Sequence, residues 1–234
     1  MDSTGYHSLT VIEKANKFNQ WMYENVKKFA VGNILEIGSG IGNISQFFIR
    51  DGYSITLSDT DEFYISQLKS KFSNKNILAI DLAHNDFAVN YKSLFQSFET
   101  IFFLNVLEHI ENDELAIQNC KHLLKPGGVL IILVPAYSFL FSKMDRELHH
   151  YRRYTKKSLM KLLSKEKCRV TKAFYFNALG IIGWMYAKIF NLQKLPPKEM
   201  SFFNKLTGFA KLVDKIFLNK AGLSVIAIAT PGKD

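Results

Sequence analysis

The chain has 234 residues, enough for one large domain with its own core, and its 47% hydrophobic and 22% charged residues exclude a disordered or fibrous chain. Two cysteines, Cys120 and Cys168, exclude a disulfide framework or a cysteine zinc site and read as reduced, buried thiols of a cytoplasmic protein. The net charge of +9 points to an anionic partner (nucleic acid, a phosphorylated substrate or a membrane surface) without choosing among them.

The opening Met1-Asp2-Ser3-Thr4-Gly5 lacks the charged-then-apolar order of a signal peptide, and no fixed-period repeat is visible. From Val11 to Phe29, apolar residues at helical spacing predict one helix. Ile34 to Ile37 is a short, apolar, glycine-terminated run, as a buried parallel strand should be. Gly42 to Arg50 reads as a helix, Ser54 to Ser58 as a strand, Asp61 to Phe72 as a helix, and Ile77 to Ile80 and Thr100 to Leu104 as strands. A helix from Asp113 to Leu124 is stopped by Pro126-Gly127-Gly128, and Val129 to Val134 is the fifth strand. A helix from Thr155, its N-cap, to Ser164 leads to a strand near Arg169 to Tyr175, and Leu223 to Thr230 is the last strand. Apolar strands alternating with helices predict an α/β, Rossmann-like doubly wound sheet of seven strands, mostly parallel with the last antiparallel. Ligands bind such sheets at the edge where the parallel strands end.

The first chemical signal is at that edge. Glu36-Ile37-Gly38-Ser39-Gly40-Ile41-Gly42 is a strand, a glycine loop and a helix start, which brings backbone N–H groups close to a ligand. Asp59 ends the second strand nineteen residues after Gly40, where a carboxylate can accept both hydroxyls of a ribose. Asp81 ends the third strand, placed either to take an adenine amino group or to cap a turn. Asn105-Val106-Leu107-Glu108-His109 follows the fourth. The spacing Gly38-x-Gly40-x-Gly42, with Asn43 after it, departs from the GxGxxG of a nicotinamide-dependent oxidoreductase, the first alternative. An RNA-directed methyltransferase or basic nucleic-acid-binding protein is the second; its aromatics would be interleaved with basic residues, and here they lie in apolar runs.

These motifs, with Lys125-Pro126-Gly127-Gly128, resemble in order those of class I S-adenosylmethionine-dependent methyltransferases. Phe18 to Glu24, Val134-Pro135-Ala136, Met144-Asp145-Arg146, His149 to Thr155, Tyr175 to Gly180 and Gly222 to Ala227 are similar to a bacterial subgroup often found beside, or fused to, polyprenyl-phosphate glycosyltransferases. The resemblance implies S-adenosylmethionine as cofactor. It places Glu36, Gly38, Ser39, Gly40 and Gly42 around the methionine portion, and Asp59 with Thr60 at the ribose. Asp81 and Leu82 border the adenine, and Asn105 closes the site near the sulfonium. Trp21, Tyr23, Asp145, Arg153 and Tyr154 fall on the acceptor side. It implies in-line methyl transfer to oxygen or nitrogen of a small-molecule, glycan or lipid-linked acceptor, by a monomer or homodimer, with no metal and no nucleic acid.

A sulfonium methyl is already electrophilic, so orientation carries much of the catalysis. A hydroxyl acceptor also needs a base, for which His109, His149 and His150 are candidates, with His109 and His150 in the catalytic assignment. The plainer roles are that His109 orders its loop and that His150 and Arg153 belong to a loop salt-bridged to Asp145. The domain plan is a single unit, 1–234: an N-terminal helical cap (1–32), a cofactor-binding core (33–176), a helical lid or insertion (177–222) and a last strand and tail (223–234). Between Ala178 and Gly222, seven lysines stand against Glu199 and Asp214, among many aromatics. Such a segment suits a lid, with peripheral contact to the inner face of an anionic membrane as a second role.

Overall fold

A computed structural model describes residues 3–232; the leader reading of the first two residues and the extreme ends of the outer segments, 1–2 and 233–234, lie outside them. In chain order the elements are α1 (Ser3–Glu13), α2 (Asn16–Lys27), β1 (Ile34–Ile37), α3 (Ser45–Arg50), β2 (Ile55–Asp59), α4 (Glu62–Lys71), β3 (Ile77–Ala79), α5 (Phe87–Asn90) and β4 (Phe98–Leu104). They continue with α6 (Asp113–Leu123), β5 (Leu124–Pro135), α7 (Lys143–Glu147), α8 (Lys156–Lys165), β6 (Cys168–Phe176), α9 (Gly180–Ile189), α10 (Pro197–Lys205), α11 (Thr207–Ile216) and β7 (Ser224–Pro231).

The strands form one sheet in the order β3-β2-β1-β4-β5-β7-β6. The first five are parallel and β7 is antiparallel to both its neighbours. Alternate residues feed two apolar layers. Leu35, Ile101, Ile132 and Val134 pack with α6 and α8 on one face, and Ile34, Phe102, Ile131 and Leu133 with α2 and α3 on the other. Chain order reverses between β1 and β4, so the loops after these strands open at the crevice where such sheets take ligands.

Three local expectations need correction. The single helix expected from Val11 to Phe29 is two helices. The Ile12 carbonyl accepts from the Ala15 N–H and from Asn19 Nδ2, each at 2.8 Å, which removes it from the helical ladder. The helix expected from Gly42 starts at Ser45, because Gly42 sits at φ +80° in the loop. Pro126-Gly127-Gly128 is an irregularity inside β5, whose register against β4 jumps from Phe98↔Leu124 to Thr100↔Val129.

The stretch between β6 and β7 holds α9, α10 and α11. Asn204 Oδ1 accepts from the N–H groups of Lys17 and Phe18, supplying the N-terminal cap that Ala15 cannot give α2. Lys211 pairs with Glu24 at 2.8 Å, His7 Nε2 meets the Leu195 carbonyl at 3.1 Å, and α9 packs on α7. The insertion therefore joins the N-terminal helices to the segment after β5.

Candidate functional site

The loop after β1 holds Gly38, Gly40 and Gly42 at φ +68°, +54° and +80°, a region that disfavours other residues. Contacts also leave no room for side chains: a Cβ at Gly38 would meet Val106 at 2.5 Å and one at Gly40 would meet Leu9 of α1 at 2.9 Å. Leu9 reaches the loop because its carbonyl accepts from Asn43 Nδ2 at 2.9 Å. Helix α1 thus lies over the glycine loop.

Two acids are buried beneath it. Glu36 accepts from the Ser45 hydroxyl; burial pushes its carboxyl up to about 8, against the lowering effect of the Ser45 and Ser39 hydroxyls. Ser39 is buried, and its Oγ accepts from the Ser58 N–H at 3.1 Å, tying the loop to β2. Asp59 accepts from Gly40 N–H at 2.9 Å through one oxygen and from Thr60 and Asp61 N–H at 2.8 and 3.1 Å through the other; burial raises it too. Carboxylates on adjacent strand ends, both strained by desolvation, suit a ligand that brings a cationic group and vicinal hydroxyls. The residues present fit a sulfonium nucleoside.

The remaining nucleoside-side residues are placed as follows. Asp81 Oδ1 accepts from Ala83 N–H at 2.8 Å, so it does cap a turn. Leu82 is buried in the core, leaving its backbone as what it can offer a ligand. Thr60 is exposed beside Asp59. Asn105, at φ +55°, turns the chain out of β4 while its N–H bonds the Leu133 carbonyl at 2.8 Å.

Past Asn105 a second cluster forms. Asp145 is fully buried and accepts from Ser142 N–H and Oγ, from His150 Nδ1 at 3.0 Å and from Arg153 Nε at 2.7 Å. Burial alone would raise its carboxyl, but the His150 and Arg153 donors outweigh that and hold it down at about 2. With Nδ1–H donated to Asp145, His150 turns Nε2 toward Glu108 Oε1, 4.0 Å away. Its ring lies 4.5 Å, centroid to centroid, from that of His109, nearly perpendicular. Glu108 is fully buried, and neither of its oxygens has a hydrogen-bond partner among the described residues. Burial pushes its carboxyl up to about 8 despite the nearby Arg153 charge.

Several residues assigned to the acceptor side are spent on structure. Arg153 is 1% exposed at its side chain; besides Asp145 it donates to the Ala136 carbonyl and stacks on the Trp184 ring at 4.5 Å, so no anion can reach it. Tyr154 is buried and its hydroxyl donates to Asp113, which also pairs with Arg152. The salt-bridged loop is therefore what the segment His149 to Thr155 forms, with His149 exposed. Tyr23 donates its hydroxyl to Asp51, past the far end of α3, and stacks on Phe47; it is away from the strand-end crevice. Trp21 packs on Phe176 at 4.3 Å and lines a groove between α2 and α11. Sequence reasoning assigned no task to Leu9, Glu108 and Trp184. Glu108 stood inside a motif already noted, whereas Leu9 and Trp184 carried no local signal.

Residues 35–130 match the family model described as a methyltransferase domain. The chain is 24% identical over 173 residues to the ubiquinone biosynthesis O-methyltransferase of Actinobacillus pleuropneumoniae serotype 5b, covering 65% of this chain and 73% of that protein. Its fold is similar to a SAM-dependent methyltransferase from Archaeoglobus fulgidus (TM-score 0.59, 15% identity, 91% of this chain and 94% of that one). It is also similar to phosphoethanolamine N-methyltransferase 2 of Haemonchus contortus in complex with S-adenosyl-L-methionine (TM-score 0.62, 15% identity, 99% and 59%). Neither the nicotinamide oxidoreductase nor the RNA-directed reading is favoured by these likenesses.

Proposed function

We propose that the chain is a class I S-adenosylmethionine-dependent methyltransferase, as its methyltransferase domain, relatives and fold support, and that it methylates the oxygen of a small hydroxylic acceptor seated between the turn after β4 and the insertion. The observation that carries this is His150: Asp145 fixes its tautomer, and Nε2 is left to take a proton at the turn after β4. The bound nucleoside supplies an electrophilic methyl. Glu36 and the glycine loop hold its methionine end, Asp59 its sugar, and Asn105 sets the turn that brings the second cluster beside it. His150 accepts the acceptor hydroxyl's proton at Nε2. That the relative from Actinobacillus is named an O-methyltransferase supports oxygen as the acceptor atom.

Replacing His150 with alanine should lower kcat about a hundredfold or more while calorimetric affinity for S-adenosylmethionine barely changes. Equal turnover removes His150 from the mechanism.

Segments 1–32 and 177–222 serve as cap and lid in this reading, with 33–176 and 223–234 as the core. A lipid-linked or glycan acceptor is supported by the resemblance to the glycosyltransferase-associated subgroup and by the lid's surface. Phe209, Leu212 and Ile216 form an exposed stripe along α11, and Ile182 and Ile189 are exposed on α9, in a segment with a net charge of +5. Among the described residues, no helix is long and apolar enough to cross a membrane, so contact would be peripheral. The protein should sediment with phosphatidylglycerol vesicles at low salt and be released as salt rises; no sedimentation at low salt removes the membrane contact.

A further inference from the structure

The net charge of +9 points to an anionic partner that the nucleoside site does not account for. A cavity of about 290 Å³ lies between α1 and α10, lined by His7, Thr10, Val11, Lys14, Pro197 and Ser201. It is separate from the strand-end crevice. His7, Thr10, Val11 and Lys14 recur at the spacing of one helical face, whereas Leu9, which overhangs Gly40, points from the opposite side. Helix α1 therefore has the glycine loop on one side and this cavity on the other. The donors in the cavity have no acceptor to serve. Among the described residues, Lys14 pairs with no acid and the Ser201 hydroxyl bonds nothing. No carboxylate lines the cavity, and Glu13, next to Lys14, is taken by Lys71 at 3.0 Å. His7 is held by Nε2 on the Leu195 carbonyl at 3.1 Å, which leaves its Nδ1 edge, and Thr10 gives its hydroxyl proton to the His7 carbonyl.

We propose that this cavity binds the phosphate group of a small ligand, and that its occupant is coupled across α1 to the nucleoside. The coupling rests on the methyltransferase reading, whereas the site does not. An ammonium, a hydroxyl and an imidazole edge lining one cavity without a carboxylate suit an anion that accepts from several directions at once, as phosphate oxygens do. Val11, Ala15 and Pro197 give the same cavity an apolar wall for a short carbon body. Its volume falls just below the roughly 300–1,000 Å³ of drug-sized sites, which suits a short phosphate ester better than a nucleotide. An occupant that bridges Lys14 and Ser201 ties α1 to α10 and holds Leu9 down on the glycine loop. Each ligand should then tighten the other by the same factor.

The test uses the full chain at fixed ionic strength, titrated calorimetrically with inorganic phosphate and with glycerol 3-phosphate. One equivalent of each should bind, the ester more tightly because it also covers the apolar wall. Lys14→Ala should weaken binding about tenfold or more, and Ser201→Ala several-fold, with unchanged circular dichroism since both positions are exposed. Saturating glycerol 3-phosphate should tighten S-adenosylmethionine binding by about fivefold or more, an effect that Lys14→Ala abolishes. The proposal is overturned if the native chain binds neither phosphate, if both variants bind as it does, or if the phosphate leaves nucleoside affinity unchanged. Phosphatidylglycerol vesicles distinguish the source of the phosphate. Sedimentation lost in Lys14→Ala assigns the site to a lipid headgroup; sedimentation that the variant leaves intact, or none at all, assigns it to a soluble ester. Nucleoside binding without phosphate binding removes this inference and leaves the methyltransferase reading intact. Phosphate binding without nucleoside binding keeps the site and removes the reading beneath the coupling.

Discussion

Asp59→Ala should weaken S-adenosylmethionine binding by about 3 kcal/mol, or roughly a hundredfold, because the proposed reading gives this carboxylate two charge-assisted hydrogen bonds to a diol that are lost together. The carboxylate has two tasks at once: it holds the glycine loop through the Gly40 N–H and the start of the next segment through Thr60 and Asp61. Asp59→Asn keeps an acceptor for one of these tasks and should fall between the native protein and the alanine variant. Calorimetry on the three proteins checks the order. An alanine variant that binds the nucleoside as tightly as the native chain would mean that the sugar is held elsewhere.

Arg153→Ala should be the most destabilising single change in the second cluster. Asp145 is 0% exposed and Arg153 1% at its side chain, so truncating the arginine strands a buried carboxylate that is otherwise held at about 2. Breaking a buried pair from one side costs about 3–5 kcal/mol. Urea denaturation at pH 7 should show this as a lower midpoint with little change in slope. Arg153→Lys should not rescue it, since an ammonium cannot reproduce the donors to Asp145 and Ala136 or stack on Trp184. Removing Asp145 and Arg153 together should cost less than the arginine change alone. A loss below about 1 kcal/mol for Arg153→Ala would show the pair to be solvated.

What could be read from the sequence was what depends on neighbours in the chain. Ile34–Ile37 was legible as a buried strand because its apolar run ends on a glycine, and Thr155 as an N-cap because a threonine stands just before the helical run; the structure adds Ser158, which completes a capping box with it. The glycine loop and Asp59 were legible for the same reason, as spacing along one β–α unit. What escaped was set by distant partners. Tyr23 looked available until Asp51 claimed its hydroxyl, and Arg153 until Asp145, Ala136 and Trp184 enclosed it. The break at Ala15 is invisible to apolar periodicity, which continues through it, and the cap that lets α2 begin again comes from Asn204. Glu108 was visible as a letter in a motif; its unsatisfied oxygens exist only once β4 and the segment after α7 are brought together.

The two ends of the insertion stand on directly paired residues, Phe176 on β6 and Ser224 on β7. Gly222 fits there because a Cβ would strike the Phe176 backbone at 2.4 Å, and Asp214 clasps the other foot through the N–H groups of Asn177 and Ala178, each at 2.7 Å. A hairpin closed in this way tolerates almost any length of excursion at its tip, since closure entropy grows only slowly with loop length. The insertion is therefore a cassette: it can be exchanged for another through one pair of adjoining residues, while the sheet that carries it keeps its geometry.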